Sequence, residues 1–141
     1  MTITILTQDP RWKRAGIRVR KAAAAALGKK KASVTIALSN DAEVRTLNKN
    51  YRAKDKPTNV LSFPDGENGH LGDIILAWET IVREAEEQNK QFNDHLAHLT
   101  IHGVLHLLGF DHESDEDAGK MEHKEIMLLR AMGIANPYEA G

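Results

Sequence analysis

The positions of apolar residues along the chain predict four strands and five helices. Alternation with period two and β-branched runs indicate strands at about residues 2–6, 32–38, 57–63 and 71–77. Helical spacing, bounded by capping residues, prolines and glycines, indicates helices at about residues 11–27, 41–50, 78–89, 93–108 and between Ser114 and Gly133. Strands separated by helices can pair in parallel, whereas the third and fourth strands are close enough to pair antiparallel. We therefore expect a single α+β domain over residues 1–141, with a small mixed four-stranded sheet packed with about five helices.

The fourth predicted helix is apolar around most of its circumference, so we expect it to be central and largely buried. Its main packing face follows helical spacing, and three leucines lie elsewhere on the same helix. A neighbouring arc carries four histidines, namely His95, His98, His102 and His106. The pattern therefore predicts that imidazoles line one side of a buried helix.

Two of these histidines, together with a third beyond the helix, predict a metal site. His102 and His106 are four residues apart, so both imidazoles can point at one spot. Gly109 can take the left-handed conformation that ends a helix, and His112 follows where a turned chain could return over the same face. Three converging neutral imidazoles make a zinc site whose open fourth position is the catalytic kind. We expect the two upstream histidines of the arc to be core residues or partners of the ligands.

The same histidine spacing occurs in one class of zinc proteases, which gives a competing interpretation. Those enzymes carry glutamate directly after the first histidine, where it acts as general base. This chain has Gly103 at that position, and glycine cannot take a proton from water. The metal-binding pattern is thus present without the peptidase base, and a peptidase would need a base from elsewhere.

Composition narrows the class of protein further. The 141 residues include no cysteine, which excludes a disulfide framework and thiolate metal ligands. No apolar run approaches membrane-spanning length and no signal peptide is recognisable, so we expect a cytoplasmic protein without a membrane partner. The net charge of −1 conceals a basic segment, because residues 11–31 hold nine Lys or Arg and no acid. Such a segment can face phosphate groups, or it can be a solvated helix face.

A second group of cations precedes the third predicted strand. Arg52, Lys54 and Lys56 alternate within residues 51–58, and in an extended chain three such side chains project the same way. Arginine presents a rigid fork of donors that matches a phosphate, and the lysines add point charge. Beside a metal helix these residues are candidates for holding a polyanionic substrate, Arg52 more strongly than the two lysines.

Three motifs, in this order, resemble the YbeY family. They are Y-R-x-K-D-x-P-T-N-V-L-S-F at residues 51–63, L-G-D-I at 71–74 and H-G-x-L-H-L-L-G-F-D-H at 102–112. The resemblance implies a single-strand-specific, metal-dependent endoribonuclease that acts in 16S ribosomal RNA 3′-end maturation and ribosome quality control. It implies ribosomal RNA as a partner, together with the small ribosomal subunit and assembly factors. The family's metal ligands, usually holding one zinc per chain, match His102, His106 and His112, and its functional arginine matches Arg52.

The sequence leaves the chemistry of such a reaction open at several points. RNA could be cut by its own 2′-hydroxyl or by a zinc-bound hydroxide, and the metal and Arg52 would offset the charge on phosphate oxygens. Asp73 and Asp111 are both available as general base, and Asp111 could equally orient a histidine. A non-enzymatic alternative is a ribosome-assembly binding protein with a structural metal, in which His98 or Asp111 supplies a fourth ligand.

Overall fold

Four strands and five α-helices form within residues 1–52, 58–67 and 69–139, which are the residues that the computed structural model describes, without the side chains of residues 51 and 52. In chain order the elements are β1 (Thr2–Thr7), a 3-10 turn (Pro10–Trp12), α1 (Ala15–Leu27), β2 (Ser33–Ser39), α2 (Asp41–Arg52), β3 (Val60–Glu67), β4 (His70–Ala77), α3 (Trp78–Glu87), α4 (Phe92–Leu107) and α5 (Asp115–Ala131). The predicted α+β class is confirmed. No helix in the described part of the chain is both long and apolar enough to cross a membrane.

The four strands form one mixed sheet in the order β1-β2-β4-β3. β1 pairs with β2 in parallel, with α1 as the crossover connection that parallel pairing needs, and β2 pairs with β4 in parallel. β3 and β4 follow each other closely and pair antiparallel, as the sequence predicted. β3 therefore forms an edge of the sheet.

Helices cover both faces of this sheet. α1 and α4 bury one face, and the largest side chains there are inaccessible to solvent, including Ile36 and Leu38 of β2, Ile74 and Leu76 of β4, and Leu96, Ile101 and Leu105 of α4. Burial of each such side chain contributes roughly 1.5–3 kcal/mol relative to its exposure. A smaller cluster of Val44, Leu61 and Ala77 joins α2 to the other face. The histidine-bearing helix is thus central, as predicted.

The first predicted helix is interrupted near its start. Asp9 caps the 3-10 turn by accepting a hydrogen bond from the Arg11 backbone N–H at 3.0 Å. Lys13 then has a φ of 47°, which is incompatible with a continuing helix, so α1 begins only at Ala15.

The segment between α2 and β3 differs from the prediction. α2 continues through Arg52 instead of ending near Asn50, so the extended conformation predicted for Arg52 is wrong. The predicted substrate-binding residues Lys54 and Lys56 lie outside the described residues. An argument from alternating side chains therefore no longer links Arg52 with the two lysines.

β3 also extends further than predicted, through Pro64 to Glu67. Proline cannot donate to a ladder, and it is tolerated here because β3 is the edge strand. Opposite Pro64, Gly72 has a φ of 148°, and a Cβ at this position would collide with the carbonyl oxygen of Phe63. Glycine on the partner strand is thus what permits the close approach of β3.

Candidate metal centre and its cleft

His102, His106 and His112 come together at the C-terminal end of α4. One ligand nitrogen from each lies within 4.8 Å of the other two, and the ring centroids are 5.0 to 5.8 Å apart. Two nitrogens held at about 2.1 Å from one ion can be at most about 4.2 Å apart, so small side-chain adjustments suffice to share an ion. No fourth His, Asp or Glu in the described part of the chain joins this group. Three imidazoles in this arrangement fit zinc or a similar divalent metal.

The end of α4 brings the third histidine to the other two. The Gly109 N–H donates to the carbonyl of His106 at 3.1 Å, and the Phe110 N–H donates to the carbonyl of Leu105 at 3.0 Å. These are the two hydrogen bonds of a Schellman motif, and Gly109 has the positive φ, 103°, that the motif requires. The chain therefore reverses over the end of α4, which places His112 beside the two helical histidines.

A cleft of about 420 Å³ opens from the three histidines toward the edge strand β3. Its other wall is the segment from Thr58 to Pro64. His102 and His106 are half-buried and His112 is exposed, so one side of the group is accessible to a ligand. The arrangement thus leaves one side of the histidine group open to the cleft.

No carboxylate from the described residues lines this cleft. Asp73 pairs with the Nε2 atom of His70 at 3.3 Å, and Asp111 accepts a hydrogen bond from the Glu113 backbone N–H at 3.3 Å. Neither predicted candidate for the general base therefore borders the site, and Asp111 does not orient a histidine.

Gly103 fills the position at which a zinc protease would carry its general base. Its carbonyl accepts a hydrogen bond from Ser62 Oγ at 3.2 Å. A Cβ on Gly103 would lie 3.2 Å from side-chain atoms of Ile74 and 3.3 Å from Ser62 Oγ. This side of α4 is packed against the sheet, so a side chain at position 103 would have to displace Ile74 or Ser62.

Glu125 of α5 stands behind the metal centre and was not found from the sequence. Its carboxylate is inaccessible to solvent and accepts hydrogen bonds from His98 Nε2 at 2.7 Å, His102 Nδ1 at 3.3 Å and the Tyr138 hydroxyl at 2.7 Å. Because an ionised carboxylate can only accept, His102 carries its proton on Nδ1, and its Nε2 is free to bind a metal ion. Glu125 thereby fixes both the tautomer and the ring orientation of His102.

The carboxyl group of Glu125 is ionised at neutral pH. Burial alone would raise the pKa of this carboxyl, but the hydrogen bonds from His102, His98 and Tyr138 outweigh burial and lower the pKa to about 2. Burial, reinforced by the bond to Glu125, raises the pKa of Tyr138. A buried anion therefore lies against His102 and increases the basicity of that imidazole toward a metal.

One feature of the sequence could have revealed Glu125. Met121, Glu125 and Leu129 recur every four residues on the buried face of α5, so an acidic residue occupies an apolar stripe. An acid on a buried face needs a hydrogen-bonding partner, so this stripe marks Glu125 as a residue with a partner on another element.

The two upstream histidines act as the structural partners that were predicted. His98 shares Glu125 with His102, and His95 Nε2 bonds to Glu84 Oε1 at 2.9 Å. The Asn59 side-chain amide also donates to Glu84, at 3.0 Å. Glu84 therefore ties α4 to the β3 side of the cleft.

The fold and the site together define an α+β protein in which an open group of three histidines that could hold a metal ion lies beside an edge strand. The family model described as Endoribonuclease YbeY matches residues 5–133, and the chain belongs to this YbeY endoribonuclease family.

Curated relatives carry the same description. Endoribonuclease YbeY from Nitrobacter hamburgensis is 52% identical over 117 residues, which is 76% of this chain and 62% of that protein, less than two thirds of its length. Endoribonuclease YbeY from Azorhizobium caulinodans is 44% identical over 153 aligned positions, with 98% of this chain and 96% of that protein covered. A Thermotoga maritima protein solved in solution has a similar structure, with a TM-score of 0.64 and 28% identity over 92% of this chain and 87% of that one.

Proposed function

We propose that residues 1–141 form a metal-dependent hydrolase domain that cuts single-stranded RNA as an endoribonuclease. The observation that carries this proposal is the group of three imidazoles that opens onto the cleft beside β3. Membership of the YbeY endoribonuclease family supports RNA as the substrate. His102, His106 and His112 hold one zinc ion in this proposal, and the side of the group that faces the cleft receives the substrate.

A bound zinc ion supplies Lewis-acid chemistry at the scissile phosphate. The chain itself fixes where that chemistry occurs, because Glu125 locks His102 and the turn at Gly109 locks His112. Edge strands carry backbone N–H groups outside the ladder, and β3, whose residues border the cleft, is such a strand. In this proposal the substrate lies between the imidazoles and the edge strand.

Arg52 is proposed as the residue that binds the scissile phosphate. It ends α2 six residues before Thr58, which is the first described residue of the cleft wall. A guanidinium can donate two parallel hydrogen bonds to a phosphate, and these strengthen as charge develops on the oxygens. Lys54 and Lys56 would add affinity through charge alone. Neither Asp73 nor Asp111 acts as base in this proposal, because each is engaged outside the cleft.

Single-stranded or loop ribosomal RNA is the proposed natural substrate. Unstacked RNA can be splayed into a cleft, whereas an A-form duplex holds its backbone fixed. By analogy with the family, we assign the cut to 16S ribosomal RNA 3′-end maturation and to ribosome quality control in the cytoplasm, with the small ribosomal subunit and assembly factors as partners. A peptide substrate is disfavoured because Gly103 leaves no place for the peptidase base.

The test is cleavage of defined RNAs with and without a chelator. Purified protein should hold about one zinc per chain and should cut single-stranded and loop RNA, but not duplex RNA or casein. His106→Ala should lose zinc and cleavage together. His123→Ala, which alters an exposed histidine of α5, is the control and should keep both. RNA cleavage that survives both chelation and His106→Ala would refute the metal-dependent mechanism, and chelator-sensitive casein cleavage would favour a peptidase.

A further inference from the structure

A second groove, of about 420 Å³, lies at the opposite end of α4 from the metal centre. Cations from the 3-10 turn region and α1 form its rim, and aromatic rings of α3 and α4 form part of its wall. We call it the basic groove and define it by Lys13, Arg14, Arg18, Lys21, Trp78 and Phe92. Nothing in the proposed cleavage reaction uses these residues.

The positive charge of the basic groove is not compensated within the described part of the chain. Arg14, Arg18 and Lys21 recur at intervals of four and three residues, so they share one face of α1. Neither they nor Lys13 form an ion pair with a described residue, and no acid lines the groove. The nearby carboxylates are occupied by Arg11, which pairs with Asp9 at 3.0 Å and with Glu79 at 3.1 Å.

Aromatic side chains give the basic groove a rigid apolar wall. The ring centroids of Trp12 and Trp78 are 5.2 Å apart, and those of Trp78 and Phe92 are 5.1 Å apart. Trp12 is buried and anchored, because its Nε1 donates to the Ser39 carbonyl at 2.7 Å. Ile17 beside these rings is 70% exposed. Cations around aromatic surfaces are the combination that binds single-stranded nucleic acid, because phosphates need charge and bases need flat apolar contacts.

The length of α4 sets the distance between the two sites. Phe92 begins α4 at the basic groove, and His106 follows fourteen residues later at the metal centre. A helix rises about 1.5 Å per residue, so the two positions are about 21 Å apart along α4.

We propose that the basic groove binds the phosphate backbone of single-stranded RNA outside the segment that is cut at the metal centre. The choice of RNA rests on the proposed function, whereas the choice of groove rests on its own charges and rings. An acidic polypeptide could also pair with the cations, but it would have no use for the aromatic wall. The basic groove thereby adds affinity for long strands without taking part in the chemistry.

The test compares two triple variants that remove the same charge from different places. Arg14→Gln, Arg18→Gln and Lys21→Gln together neutralise the basic groove. Lys29→Gln, Lys30→Gln and Lys31→Gln together neutralise exposed lysines beyond the other end of α1.

The measurement is fluorescence anisotropy of the full-length, zinc-loaded protein with a 2′-O-methylated, unstructured RNA over a series of salt concentrations. An RNA of about twenty nucleotides is long enough, at about 3.4 Å per nucleotide, to span both sites.

The groove triple variant should bind this RNA roughly a hundredfold more weakly at about 0.1 M salt, with a salt slope smaller by about two, because each phosphate contact on a single strand contributes about 0.7 to that slope. The lysine triple variant should keep most of its affinity. Lys13→Gln with Arg14→Gln, two exposed positions that carry little risk to folding, should cost roughly twentyfold on the same basis.

Three results would overturn the proposal. The first is unchanged RNA binding by the groove variants, and the second is an equal loss of RNA affinity in both triple variants. The third is that the groove variants lose affinity for an acidic polypeptide such as polyglutamate but not for RNA.

Failure of the groove and failure of the ribonuclease function can be told apart. In the His106→Ala background, the groove triple variant should lower RNA affinity by the same factor as in the unchanged protein, because the basic groove is remote from the metal centre. If RNA binding depends on the groove but the unchanged protein does not cleave unmethylated RNA, the ribonuclease proposal is wrong and the groove proposal still holds. If the unchanged protein cleaves RNA but RNA binding does not depend on the groove, the groove proposal is wrong and the ribonuclease proposal still holds.

Discussion

Replacement of Glu125 by glutamine should weaken zinc binding although Glu125 touches no metal. Glutamine has the shape of glutamate, so it fits the same buried space. Its carbonyl can still accept from His98 and His102, and its amide can donate to the Tyr138 oxygen if that hydroxyl turns. The substitution therefore removes the negative charge beside His102 and leaves most hydrogen bonds in place.

The size of the effect follows from which of these bonds reaches a ligand. Loss of the partner of a ligating histidine typically costs about 10–100-fold in metal affinity. Only one of the three hydrogen bonds to Glu125 involves a proposed ligand, and at 3.3 Å it is the longest. We therefore expect a loss near tenfold, which is about 1.4 kcal/mol. Glu125→Ala should cost more, since it also removes the acceptor of the hydrogen bonds from His98, His102 and Tyr138, each worth about 0.5–1.5 kcal/mol of folding free energy.

Competition with a chromophoric zinc chelator at pH 7.5 measures this affinity directly, and urea unfolding of the metal-free proteins measures the folding cost separately. Glu116→Gln is the matched control, because Glu116 lies on the same helix with a side chain that is 79% exposed. Zinc affinity of Glu125→Gln equal to that of the control would refute the role assigned to Glu125.

Three further predictions concern Arg52, Gly103 and His95. Arg52→Ala should keep its zinc and nearly all its RNA affinity but cut about a hundredfold more slowly in single-turnover assays, with partial recovery in Arg52→Lys, and a normal rate would end the assignment. Gly103→Ala should lower the free energy of unfolding by about 1 kcal/mol, since overpacking against the sheet costs about 1–3 kcal/mol and the gain in helix propensity returns about 1. Gly119→Ala, with open space around the new methyl, should instead stabilise, and equal effects in urea unfolding would contradict this account. The pKa of His95 is lowered, chiefly by burial and despite its bond to Glu84, so the unfolded state binds more protons below about pH 6.5. The contribution of His95 to the free energy of unfolding should therefore be complete above about pH 6.5 and should be lost as the pH is lowered further. The decrease in the free energy of unfolding below about pH 6.5 should be smaller in His95→Gln. Parallel pH profiles of the two metal-free proteins would disprove this explanation.

The convergence of the three histidines could be predicted from the sequence because its geometry is local. Helical spacing aligns His102 with His106, and Gly109 determines the turn that returns His112, all within eleven residues. The path of β3 could not be predicted in the same way. Pro64 is a breaker by local criteria, and it is accommodated only because β3 lies at the edge of the sheet opposite a glycine.

Glu125 could not be assigned from local patterns either. It is 23 residues from His102 and 13 from Tyr138, and the three meet only when α5 packs beside α4. Its isolation in an apolar stripe shows that a partner must exist, but periodicity alone does not say which element provides it. For the general base, the sequence suggested residues that the fold places away from the cleft. Asp73 pairs with His70, and Asp111 accepts a hydrogen bond from the Glu113 backbone N–H.

The division of α1 into a buried apolar face and an exposed basic face explains why we regard the basic groove as more than a solvated helix face. Small buried residues, among them Val19, Ala22 and Ala23, bring α1 close to α4, so the remaining arc has to face solvent. Solvation alone would permit acids on that arc, and ordinary surfaces mix both signs because charges of one sign repel one another. Residues 11–31 instead hold nine cations and no acid, and four of these cations, Lys13, Arg14, Arg18 and Lys21, line the basic groove. A cluster of one sign that the rest of the chain does not require is best explained by a polyanion, and the aromatic wall beside it favours one whose bases can stack.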